Sequence, residues 1–389
     1  MLWDHYVFRQ GSKVDELWDS LYTNTKVDVV YIAGRGFDVR GRIVMERFVS
    51  GLTSAKVRIN KSKLILVELA DYELDVDVVA ITAENTNALK TSFFPNATIE
   101  EVSIGTVGDE DISSGIALSR GVKEILGMID GHTDIVLDIS AMPRVLYLSL
   151  LTNILNKLIP NKFDDSSGSP LAANRVNFQV LVAEDARLDG LIKAEDPSND
   201  LIYVPGFAGA MHVESARDWP IVWFPFLGEN RSQQMQKIIE LAEIPDSAEI
   251  CPILPHPSKD PRRADNLLVE YSEVLFDARS TPTTNIFYVH ESNPFEAYRQ
   301  LLTAMNRYKD SMRILGGCKL VVSPLGSKLM TLGAGLACFE MKPSDLNAKY
   351  GVALPHSEPK RYVASIEELR RSTPTLYSLL LTGESYIDD

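Results

Sequence analysis

Short runs of β-branched and apolar residues alternate along this chain with longer stretches of helical period. That alternation predicts a mainly parallel sheet flanked by helices. Val27–Ala33 reads as a buried strand, followed by a glycine-containing loop and a helix from about Arg42. Leu64–Glu68 and Val76–Thr82 read as further strands, with a helix from Thr86. Ala97–Ile104 is a strand, Ser113–Ile129 a helix, Asp134–Ile139 an apolar strand, Arg144–Leu158 a helix, and Val176–Ala183 the closing strand. Phe163–Ala173, rich in Asp, Ser, Gly and Pro, reads as an exposed loop, and Glu195–Arg217 as a stretch of turns.

The alternation then resumes. Strands are expected at Ile221–Phe226, Glu249–Leu254, Asn285–His290, Lys319–Ser323 and Tyr350–Leu354, the last taken as the final core strand. Helices are expected at Arg231–Ala242, Ala264–Phe276, Pro294–Ser311 and Lys328–Phe339, with an acidic tail, Glu384–Asp389, that frays. The expected fold is therefore α/β, with two tandem Rossmann-like domains over 1–215 and 216–389 and mainly parallel sheets. A length of 389 residues suits two or three domains.

Charge narrows the partners. Lys and Arg number 39 against 53 Asp and Glu, a net charge of −14, which opposes extended nucleic-acid binding. A local basic loop for one small anion remains compatible with it. Cys251, Cys318 and Cys338 lack metal-ligand spacing and read as buried small hydrophobes. The six histidines show no zinc pattern. The start has no basic segment leading into an apolar one, and no apolar run reaches membrane-spanning length. The expectation is a cytoplasmic protein without membrane contact.

Ligands of open α/β sheets bind beyond the carboxyl ends of the strands, so the strand-to-helix loops hold the candidate chemistry. In Ala33–Arg42, Arg35, Arg40 and Arg42 can pair with phosphate or carboxylate, Gly36 lets backbone approach a ligand, and Asp38 can orient an arginine, cap a helix or hold a metal. A third glycine at the dinucleotide-fingerprint offset is missing. In Leu137–Arg144, Asp138 ends a buried strand, Ser140 can cap the next helix with Pro143 in its first turn, and Arg144 adds charge beside free amides. Ser327 and Lys328 follow a small-residue loop after a third strand, in the manner of a phosphate cradle but without P-loop spacing. Glu229 and Arg231 lie in a fourth loop, and His256, Lys259, Arg262 and Arg263 form a basic turn read as solvated.

The sequence Asp138-Ile139-Ser140 after an apolar strand resembles the loop of CRISPR-associated Rossmann-fold (CARF) domains. Those domains sense cyclic oligonucleotides through an Asp/Asn-Ile-Ser/Thr-Gly-Gly loop with a basic residue near its end. Ser140 and Arg144 match in position or kind, while Ala141 and Met142 stand where the glycines would be. The resemblance covers at most Val27 to about Asp185. It implies a nucleotide sensor, in the setting of prokaryotic antiviral defence.

The loops themselves leave three functions open. One is a binding module whose domains clamp a phosphorylated small molecule or nucleotide, with Arg35, Arg144 and Lys328 supplying charge. The second is an enzyme acting on a nucleotide or sugar nucleotide, with or without Mg2+, in which Asp38, Asp138 or Glu229 serves as acid, base or metal ligand. The third is an interaction subunit that meets another protein or a second copy of itself.

Overall fold

The computed structural model describes residues 1–70, 76–105, 113–160, 168–185, 187–188, 192–345 and 347–387. The chain forms two compact units, Leu2–Lys193 with Tyr362–Asp389, and Ala194–Arg361. The division at residue 215 expected from the sequence falls inside the second of these units.

The first unit contains β1 (Val7–Gln10), α1 (Lys13–Tyr22), β2 (Lys26–Gly34), α2 (Arg40–Ser54), β3 (Arg58–Leu69) and α3 (Val76–Ser92). It continues through β4 (Thr98–Ile104), α4 (Ser114–Met128), β5 (Asp134–Asp138), α5 (Arg144–Leu158) and β6 (Asn177–Glu184). Its sheet runs β4, β3, β2, β5, β6, all parallel, and two antiparallel strands extend it. Central β2 is buried from Val29 to Gly34, as a strand covered on both faces must be.

Val76–Thr82, expected as a strand, is the start of α3. Val78, Ile81 and Leu89 are buried while Val76 and Val79 are exposed, which is helical spacing rather than alternation. The connection from β3 to its parallel neighbour β4 also needs a crossover, which a helix supplies. Of the expected loop Phe163–Ala173, residues 161–167 lie outside the described residues, and Pro170–Ala172 form a 3-10 turn.

The chain passes to the second unit along β7 (Lys193–Pro197). There follow β8 (Ile202–Ala208), β9 (Ile221–Phe226), α6 (Ser232–Leu241), β10 (Glu249–Ile250), β11 (Ile253–Pro255), α7 (Arg263–Glu270) and β12 (Phe287–Val289). The unit closes with α8 (Pro294–Met312), β13 (Cys318–Pro324), α9 (Lys328–Met341) and β14 (Tyr350–His356). Its sheet runs β12, β11, β9, β13, β14 in parallel, with β8 antiparallel beside β14. The turn-rich stretch Glu195–Arg217 thus holds an edge strand, β8, that begins this unit before residue 215. Glu249–Leu254 is interrupted at Cys251-Pro252, where Pro252 has no amide to give the ladder.

The chain returns through β15 (Pro359–Val363), which pairs with β7, and α10 (Ile366–Arg370) to β16 (Thr375–Thr382). Strand β16 lies between β6 and β1 in the first sheet, so Tyr350–Leu354 is not the last core strand. Nor does the tail fray through the described residues. Tyr386 is buried and its hydroxyl donates to the Leu380 carbonyl at 2.6 Å.

Candidate functional site

Both sheets share one order. The chain builds outward from a central strand through two neighbours, then crosses back to that strand's other side. This reversal point lies between β2 and β5 in the first unit and between β9 and β13 in the second. Loops leaving such a pair diverge to opposite faces, and the crevice between them is where doubly wound sheets place ligands. The candidate residues fall at both crevices.

In the first crevice the two loops pack tightly. A Cβ on Gly34 would lie 2.7 Å from the Ala141 carbonyl oxygen, so the glycine serves loop–loop contact. Asp38 and Arg40 turn inward, 8% and 2% exposed. Asp38 accepts from Arg40 Nε at 3.0 Å and Nη2 at 2.7 Å, and from the Arg40 amide at 3.0 Å. Arg35 leans across the sheet, 3.2 Å from Glu68 and 3.6 Å from Glu101. Gly36 is half-buried, its carbonyl accepting from Asn85 Nδ2 at 3.2 Å.

Asp138 is fully buried, accepting from the Tyr31 hydroxyl at 2.9 Å and the Ser140 amide at 2.9 Å. Burial, then the charge of Asp138 and this hydrogen bond, push the Tyr31 phenol well above its ordinary pKa. Ser140 does not cap α5. Its Oγ accepts from the Ala183 amide at 2.9 Å, tying the loop to β6, and Pro143 occupies the cap position. Arg144, half-buried, is the first residue of α5.

The second crevice is built by the loops after β9 and β13. They touch at Gly228, where a Cβ would lie 2.4 Å from the Leu325 carbonyl oxygen. The Tyr271 hydroxyl donates to the Gly228 carbonyl at 2.6 Å. Glu229 receives Arg263 through Nε at 2.6 Å and Nη2 at 2.9 Å, and Arg263 Nη1 reaches Glu291 at 3.0 Å. Arg263 is therefore not the solvated residue its basic turn suggested; its side chain is 15% exposed and clamps two loops. Burial alone would raise the Glu229 carboxyl, but Arg263 outweighs it and holds it below the ordinary range.

Arg231 donates to Gln234 Oε1 at 3.3 Å. Ser327 caps α9 by accepting from the Met330 amide at 3.3 Å, and Lys328 is the first residue of that helix. Arg231, Ser327 and Lys328 are all half-buried. At the end of β14, His356 and Glu358 form a buried pair, Nε2 to Oε1 2.9 Å. Sequence reading passed over them because it sought histidines paired with histidines. The signal was His356-Ser357-Glu358 at the end of an apolar strand.

Arg35, Asp38, Arg40, Asp138, Ser140 and Arg144 thus belong to one unit, and Glu229, Arg231, Ser327 and Lys328 to the other. Among the described residues, no three His, Cys, Asp or Glu side chains are grouped as metal ligands would be. No helix among them is long and apolar enough to cross a membrane.

No family model matches the chain, and no curated protein matches its sequence. Two solved structures from Pseudomonas aeruginosa are similar in part. One, from strain UCBPP-PA14, is described as a universal stress protein. It shares 13% identity at a TM-score of 0.22, covering 85% of this chain and 94% of that one. The other, a functionally unknown protein from strain PAO1, shares 12% identity at a TM-score of 0.21, covering 86% and 93%. Similarity at this level carries no argument about function.

Proposed function

We propose that the Ala194–Arg361 unit binds a phosphorylated, nucleotide-like small molecule in its β9/β13 crevice. The observation that carries this reading is the amino end of α9 at the reversal point of the sheet, with Ser327 as its cap, Lys328 as its first residue and Arg231 on the facing loop. The first turn of a helix presents amides and the positive end of the dipole to an anion. Lys328 and Arg231 add charge within a chain that is acidic as a whole. The Gly228 contact with Leu325 keeps both loops at the mouth of the same crevice.

A charge-assisted hydrogen bond contributes about 1.5–3 kcal/mol, so loss of one cation should weaken binding at least about tenfold. Calorimetry of ADP with the full chain tests this. Lys328→Ala and Arg231→Ala are expected to weaken ADP binding by that factor while leaving the unfolding midpoint nearly unchanged. Unaltered affinity in both folded variants would remove the site.

The loop Asp138–Arg144 gives a second reading, a sensor of cyclic oligonucleotides at the first crevice. What favours it is Arg144 at the amino end of α5, at a reversal point of its own. Since Asp138 and Ser140 are tied inward, Arg144 and the α5 amides would do the recognition. Cyclic oligonucleotides in the same calorimetric series, with Arg144→Ala, separate it from the first reading.

A further inference from the structure

From the end of β15 the chain does not enter β16 directly. Tyr362–Thr373, which includes α10, first crosses the carboxyl edge of the first sheet. At one end the Tyr362 ring lies against Phe37, three residues past β2, with centroids 6.2 Å apart. At the other, Asp185, the residue after β6, accepts from the Ser372 hydroxyl at 2.9 Å and the Thr373 amide at 3.3 Å. Strand β5 lies between β2 and β6 in the sheet. A segment tied on both sides of β5 passes over its carboxyl end, beside the β2/β5 crevice. Two strand spacings separate β2 from β6, about 10 Å, a span that a segment of this length crosses with slack.

Between these ties the segment docks by apolar side chains. Leu369 of α10 is 0% exposed and packs with Ile81 of α3 and Leu188 beyond β6, against Phe37, Val39 and Ile366. This group is separate from the core cluster that packs on the sheet through Val29, Tyr31 and Phe48. The charged ties of α10 lie at the surface: Arg187 with Glu368, and Arg370 with Glu84 at 3.0 Å. Exposed pairs of this kind contribute little to stability. A helix as short as Ile366–Arg370 does not persist alone in water. Docking of Leu369 therefore holds α10 together, and its release melts the helix without disturbing the strands below.

We infer that Tyr362–Thr373 is a strap that closes the first crevice and undocks without unfolding of the sheet. Docked, it covers the loop after β2 at Phe37 and Val39. Undocked, it admits a small molecule to that loop. The inference is independent of phosphate binding at β9/β13, which concerns the other unit.

Thiol labelling of the full chain with iodoacetamide provides the test. Val39→Cys places a thiol beneath the strap. Ser149→Cys places one at a fully buried position of α5, where it reports opening of the whole unit. Peptide mass spectrometry separates both from the native Cys251, Cys318 and Cys338, which are buried in the other unit. With Leu369 intact, position 39 is expected to react at least about tenfold faster than position 149, because local opening costs less than global opening. Leu369→Ala should accelerate position 39 at least about a further tenfold and leave position 149 unchanged, since truncating a fully buried leucine removes that much docking. Equal rates at the two positions with Leu369 intact overturn the inference, because the segment then opens only with the sheet. No acceleration at position 39 in Leu369→Ala overturns it too, because the thiol is then reached without moving the segment. Equal acceleration at both positions makes Leu369 part of the unit's core and likewise overturns it.

Discussion

The two crevices have the same topology but use their polar residues differently. In the first, between β2 and β5, the chemistry-bearing side chains largely satisfy one another. Asp38 holds Arg40, Tyr31 and the Ser140 amide hold Asp138, Ser140 holds the Ala183 amide, and Arg35 spans Glu68 and Glu101. In the second, Arg263 neutralises Glu229 and Glu291 at one side, and Ser327 caps the helix that begins at the other. A loop rich in arginine, aspartate and glycine is therefore no guide to a ligand by itself. What such a loop can offer a ligand depends on which of its polar groups the fold has already used.

Substitutions can break this contrast. The largest effect is expected from Asp38→Ala, which leaves the Arg40 guanidinium buried without its bidentate carboxylate. Removing one partner of a buried pair costs about 3–5 kcal/mol. Urea unfolding should register that loss, while ADP affinity stays within about twofold, the span of about 0.4 kcal/mol. A large fall in ADP affinity at undiminished stability would make the first crevice the binding site and reverse the comparison.

Tyr31→Phe is the intermediate case. It removes the phenol hydroxyl from fully buried Asp138 without opening a cavity, and should cost about 1–3 kcal/mol. The measurement is again the unfolding midpoint. No change would mean that the other partners of Asp138 satisfy it without the phenol.

The smallest effect concerns Glu229 and sharpens the other side of the contrast. Its carboxyl is held below its ordinary pKa in the folded chain, so the Arg263 pair adds stability above the unfolded value, about 4.3, and loses it as pH falls through the folded value. The Glu229→Gln variant should be less stable than wild type at pH 7 and converge with it in acid. Parallel pH profiles of thermal unfolding would show that the pair does not hold the loop.

Much of the fold was legible because parallel sheets write their core strands as apolar runs. Val27–Ala33, Asp134–Ile139, Ile221–Phe226 and Lys319–Ser323 each lie within or against a strand. Helices α4, α5, α8 and α9 were expected within two residues of their observed ends, and α8 and α9 do begin at side-chain caps, Asn293 and Ser327. The misses share a cause. Val76–Thr82 carries β-branched residues but buries helical positions, β8 is an edge strand broken by glycine and proline, and β16 pairs with strands far back in the chain. Local preference loses to long-range packing in all three.

The sequence by itself determined the class of this protein: an acidic α/β chain whose chemistry lies in loops after apolar strands. It also named the loops at both reversal points. Only the tertiary structure decided which of those residues the fold consumes. That depends on distances between strands that are remote in sequence, such as Tyr31 to Asp138 and Ser140 to Ala183. The same holds for His356 and Glu358, which the fold buries together at the end of β14.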